Sequence, residues 1–139
     1  MRERLVIYRD FRIEAVFKAG GDHDPGKIIY AGTNEQRVNA WLDRFLIWGS
    51  ENGYPFPAIA MISLLNARDS KIYTTWHRHD ATSDLMKLQP VVIEDSSVRP
   101  SALMRPAYDH LWQSYGFDEC VMFDENGIFE RQRYDPRAA

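Results

Sequence analysis

The chain has 139 residues, of which 45% are hydrophobic and 27% charged, with a formal net charge of −3. That length suits one domain, and that composition supports a packed core without a metal or disulfide staple. The acidic balance argues against broad nucleic-acid binding, which needs clustered Lys and Arg to neutralise phosphates.

Residues 1–12 are charged and lack the apolar run of an export signal, and no stretch approaches the roughly 20 apolar residues that cross a bilayer. The single cysteine, Cys120, lies in an apolar run and reads as a packed thiol in a reducing compartment. A soluble, cytoplasmic chain is the expectation.

Leu5 to Tyr8 is a short apolar run, and Phe11, Ile13, Ala15 and Phe17 alternate with polar residues as in a half-buried strand. Gly20-Gly21-Asp22-His23-Asp24-Pro25-Gly26 reads as a seven-residue polar loop, leading into a second strand over Lys27 to Ala31 that pairs with the first. Thr33 and Gln36 have the spacing of a capping box. The helix they start carries Val38, Trp41, Leu42, Phe45 and Trp48 on its apolar face and ends at Gly49. These aromatics read as core, where rings contribute most.

Residues 50–57 form a connection stiffened by Pro55 and Pro57. Ala58 to Leu65 is nearly all apolar, so periodicity alone does not separate strand from helix; its length and the turn after it favour a strand, paired with Ile72 to His77. Thr82 or Ser83 caps a brief helical turn through Leu88, and Val91 to Ile93 is a small strand after Pro90. The second main helix carries Leu103, Met104, Ala107, Tyr108, Leu111, Trp112 and Tyr115 at helical spacing and ends at Gly116. Ser101 is a possible cap, but Pro106 favours a later start near Arg105, with the proline in the first turn. Cys120 to Phe123 then reads as a strand buried on both faces, Asp124 to Gly127 as a tight turn, and Ile128 to Tyr134 as the returning partner. This order predicts a single α+β domain over residues 1–139. Its antiparallel or mixed sheet has about five to seven strands, with two main helices packed on one face.

For chemistry, Trp76-His77-Arg78-His79-Asp80 is the most suggestive cluster. On a strand His77 and His79 share a face, where two imidazoles and a carboxylate, Asp80 or Asp84, can ligate a divalent metal such as Zn. His23 and Asp24 are a conceivable second contribution, and His110 lies apart on the last helix. The bland reading is a solvated strand end. The spacing is neither that of a helical metalloprotease nor, with Arg78 in the middle, that of a double-His nickase. Sequences for a nucleophile elbow, a phosphate-binding loop and a dinucleotide fingerprint are absent.

Late acidic residues (Asp118, Glu119, Asp124, Glu125) and arginines near both ends (Arg2, Arg4, Arg9, Arg12; Arg131, Arg133, Arg137) segregate charge in a way that steers a protein partner. Tyr54, Phe56 and Tyr134 are candidate aromatic anchors for such an interface. The resulting expectation is a small non-enzymatic binding or regulatory module, acting through contact with a protein partner or its own copy. The alternatives are a metal-assisted hydrolase or nuclease and a small-ligand sensor with an aromatic pocket beside Trp41, Trp48 or Trp112.

Overall fold

The computed structural model describes residues 3–23, 26–72 and 79–130. The architecture is α+β, with two helices and nine short strands among the described residues. In place of one sheet of five to seven strands, the strands form four small sheets, one three-stranded and three two-stranded.

The second helix, α2 (Pro100–Gln113), is the central post. Met104, Ala107, Tyr108, Leu111 and Trp112 recur at helical spacing and are all buried, and Tyr115 just beyond the helix is buried with them. Leu103, placed on the same stripe by spacing, sits at its half-buried rim. The helix starts earlier than Pro106 suggested. Arg99 is its N-cap and Pro100 takes the first position, where a missing N–H is harmless. Pro106 is therefore internal, and it is tolerated because it and Ala102, whose carbonyl loses its amide partner, both lie on the exposed side. Gly116 ends the turn as expected, with φ 91°, while the Phe117 amide bonds back to the Trp112 carbonyl at 3.2 Å.

Helix α1 (Thr33–Asn52) packs against α2. Its capping differs from the expected Thr33–Gln36 box. Gly32 is the N-cap and Glu35 reaches back to the Gly32 amide, so only the carboxylate half of a capping box exists. Nor does Gly49 end the helix: the chain runs on to Gly53, which adopts the left-handed conformation at φ 67°.

The N-terminal strands β1 (Arg4–Ile7) and β2 (Ile13–Val16) form a hairpin of their own, in register from Arg4↔Val16 to Ile7↔Ile13. The glycine-rich segment is not all loop. Its first half is strand β3 (Gly20–His23), the antiparallel partner of β4 (Gly26–Ile29), and this pairing replaces the expected one with residues 11–17. Gly20 is needed there for close approach: a methyl group at that position would collide with the Ile28 carbonyl oxygen and come within 3.1 Å of the Ile29 Cα. Strand β7 (Lys71–Ile72) pairs in parallel with β4, not with residues 58–65; the rest of the segment expected to pair, 73–77, lies outside the described residues.

Residues 58–65 are indeed extended, as β5 (Ala58–Ala60) and β6 (Ser63–Leu65). Their partners are β9 (Val91–Ile93) and β8 (Leu85–Lys87), the latter a strand where a brief helical turn was anticipated. Finally, Cys120, Met122 and Phe123 are buried as predicted, but as turn and irregular chain, not as a strand; one antiparallel bridge, Phe123↔Phe129, is all the ladder they make among the described residues. The Asp124–Gly127 turn is present, and the Asp124 carboxylate accepts from the amides of Asn126 and Ile128 at 2.9 Å each. No helix among the described residues is long and apolar enough to cross a membrane.

Gly20→Ala is expected to destabilise the protein by about 2 kcal/mol or more, because the obstruction is backbone that cannot swing aside. Urea denaturation of the variant checks this, with Gly53→Ala as a comparison in which open space leaves only the backbone penalty of roughly 1 kcal/mol.

Candidate functional site

The residues from 58 to 65 and from 85 to 93 form one bent antiparallel ribbon. In β5/β9 the register is Ala58↔Ile93, Ile59↔Val92 and Ala60↔Val91; in β6/β8 it is Ser63↔Lys87, Leu64↔Met86 and Leu65↔Leu85. Two residues, 61 and 62, thus stand opposite three, 88 to 90, which is a β-bulge. The Leu88 amide, bonded to the Ile62 carbonyl at 3.0 Å, is the last link before it. Because of the bulge, alternation stays in phase on both sides. Val91, Met86 and Leu88 are buried and join the core with α2, and Ile93 is buried on the same strand as Val91.

The outward row is mostly apolar as well, broken by the Ser63↔Lys87 pair. Ile59 is 64% exposed, Met61 75%, Leu65 70%, Leu85 47% and Val92 53%. Two of these contacts, Ile59↔Val92 and Leu65↔Leu85, are direct cross-strand pairs. A half-solvated antiparallel ribbon ordinarily places polar residues there. At the bulge the surface dips into a cleft of about 520 Å³, with Met61, Ile62, Leu88 and Pro90 as apolar wall and Lys87 and His110 beside it.

A second concentration of unusual chemistry is internal. Glu35 is fully buried, and its carboxylate oxygens accept from two N–H groups, the Gly32 amide and the Trp112 indole, the latter at 3.2 Å. Tyr108 donates to the Glu35 carbonyl at 3.1 Å and to the Asn39 side chain. Burial lifts the Glu35 carboxyl to about 7, against the pull of its own amide, the Gly32 amide and the Trp112 indole. Burial first and the nearby Glu35 charge second push up both the Tyr108 hydroxyl and the Cys120 thiol, so neither is an activated nucleophile. This cluster ties α1 to α2.

The sequence-derived candidates fall elsewhere. Asp80 faces Lys71, whose ammonium contacts both of its carboxylate oxygens at 2.8 Å. His79 is exposed, with Nδ1 3.0 Å from the Asp80 carbonyl. His77 and Asp24 lie outside the described residues, as does the side chain of His23. Asp84 meets Arg68 at 3.6 Å. Among the described residues no group of three or more His, Cys, Asp and Glu side chains stands where it would hold a metal ion. Tyr54 and Phe56 are half-buried in an aromatic cluster: the Tyr54 ring lies 4.8 Å from Phe45, 5.4 Å from Phe56 and 5.8 Å from Phe11. Its hydroxyl donates to the Phe11 carbonyl at 2.7 Å, which anchors the N-terminal hairpin. Trp41 and Trp48, expected in the core, are half-buried and exposed respectively. Tyr134 lies outside the described residues.

Reasoning from sequence missed Glu35, the ribbon's outer row and the Lys87–His110 pair. For Glu35 a signal existed, since glycine is an acceptable N-cap and Glu35 stands three residues after Gly32. Compared with protein-family models, curated proteins and solved structures, the chain matches none.

The Glu35 carboxyl titrates near 4.5 when unfolded and about 7 when folded, so the folded state holds that proton more tightly. Its stabilisation is complete below the unfolded value and is lost as pH rises through the folded one. Denaturant unfolding should therefore give about 2 kcal/mol more stability at pH 5.5 than at pH 8 from this group. Glu35→Gln should flatten that slope whatever its effect on absolute stability. Trp112→Phe, which removes the indole donor, should move the transition to higher pH.

Proposed function

We propose that this protein is a small binding module that works by contact with another protein or a second copy of itself, through the outward face of the bulged ribbon. The observation that carries the reading is the in-register row of exposed apolar residues Ile59, Met61, Leu65, Leu85 and Val92 on a face that the core does not use. Single exposed apolar residues are normal on any surface; two apolar cross-strand pairs on one face, on either side of the polar Ser63↔Lys87 pair, are the feature associated with interaction sites. The most strongly shifted titratable groups support binding over catalysis, because Glu35, Tyr108 and Cys120 are engaged inside the core.

Size sets the strength. From Ile59 to Leu65 the face runs about 20 Å, two strands wide, which is a few hundred Å². Stable interfaces bury about 800 Å² per partner, so this face alone supports a transient contact with a Kd in the micromolar range or weaker.

The test uses the full chain beside a variant carrying Ile59→Lys and Val92→Lys, positions whose side chains leave the core untouched. Sedimentation from about 10 μM to 1 mM should show concentration-dependent association, or cross-linking in extract should show a discrete adduct, and the double variant should lose it. Identical behaviour of the two proteins in both measurements would overturn the reading.

A further inference from the structure

The cleft at the bulge differs in character from the face around it. We propose that it is a binding site for a small amphipathic carboxylate, its hydrocarbon chain against Met61, Ile62, Leu88 and Pro90 and its carboxylate at Lys87 and His110. Three observations meet here.

The first is shape. The extra residue in the 88–90 strand bends the ribbon where Pro90 has no N–H to continue the ladder, and the opening of about 520 Å³ falls within the range of small-molecule sites. The second is charge. Lys87 and His110 both line the cleft, no carboxylate does, and among the described residues neither side chain makes an ion pair or hydrogen bond. Two donors with no carboxylate in the lining suit an anion: the ammonium supplies charge, and the imidazole supplies an N–H in either protonation state. The third is the apolar wall, which a fully hydrated anion such as inorganic phosphate would leave unused. Ser63 and Gln89 complete the lining with neutral hydrogen-bonding groups.

The probe is octanoate, titrated into the isotope-labelled full chain and followed by amide chemical shifts, with butanoate, hexanoate, octan-1-ol and octylammonium alongside. Amides of residues 61–63 and 87–89 should move. Affinity should rise roughly tenfold for every two methylenes added. Octylammonium should bind at least about tenfold more weakly than octanoate, and Lys87→Gln should weaken octanoate by about tenfold. His110→Ala should weaken it as well, with the rest of the spectrum unchanged as the check on folding. The Ile59→Lys/Val92→Lys variant should still bind octanoate, which separates this site from the protein-contact face. Equal binding of octanoate and octylammonium, shifts centred on residues 59, 65, 85 and 92, or indifference to both Lys87→Gln and His110→Ala would overturn the proposal.

Discussion

A carboxyl group sealed between two helices constrains everything around it. Glu35 is fully buried, and an anion removed from water is tolerated only where donors replace the water. Here they come from two places: the Gly32 amide at the positive end of α1, and the Trp112 indole near the end of α2. Each donor belongs to a different helix. The start of α1 is therefore fixed against the last turns of α2, and the Tyr108 hydroxyl adds a second tie one turn earlier. With that contact made, α2 offers Met104, Ala107 and Leu111 as a dry wall on which short strands can lean. Two-stranded pieces are marginal by themselves in water, and support from the helix wall is what lets β5/β9 and β6/β8 persist as such.

The helices were legible because their signal is redundant. Over α2 the apolar stripe repeats for nearly four turns, so one misplaced proline shifts the predicted start but not the element. The strands had no such redundancy. Pieces of two to four residues offer one or two alternations, and pairing partners are chosen by packing that sequence spacing does not express. The segment from Gly20 to His23 shows the difficulty: glycine marks a loop in most contexts, yet here its lack of a side chain lets two backbones close up. Cys120 to Phe123 is the converse case. Its apolar character correctly signalled burial, but a helix wall satisfies that as well as a sheet does, and no ladder was required.

At the candidate site the difficulty was of another kind. Residues 58–65 looked ambiguous because both faces of the strand are largely apolar, and only one of them turns toward the core, half-buried. The ambiguity was itself the signal: Ala58, Ala60, Ile62 and Leu64 turn inward, while Ile59, Met61 and Leu65 face water. The His-x-His-Asp run drew attention by residue type, but Asp80 finds its partner nine residues back, at Lys71, a match that only the fold reveals. That ion pair is about a third exposed and is worth at most about 1 kcal/mol, so it positions the chain more than it stabilises it.

Polarity in this molecule departs from the usual plan at two places, one inside and one on the surface. The side chains with the greatest chemical potential, Glu35, Tyr108 and Cys120, are enclosed and hydrogen-bonded or packed, while a mostly apolar row of side chains is turned to solvent. Folding explains the first half, since the buried carboxyl joins the helices. It does not explain the second: replacing Ile59 or Val92 by a polar residue would remove nothing from the core, and cross-strand pairing on a solvated face works as well with Thr or opposite charges. What the outer row supplies is therefore surface, and that surface is interrupted beside the bulge, where Ser63, Lys87 and His110 bring polar groups to its edge. On the proposed reading, the ribbon's inner face serves the core and its outer face serves contact, and those tasks are divided between alternate residues of the same strands, so changes at Ile59, Met61 or Leu65 would alter recognition while the fold stands.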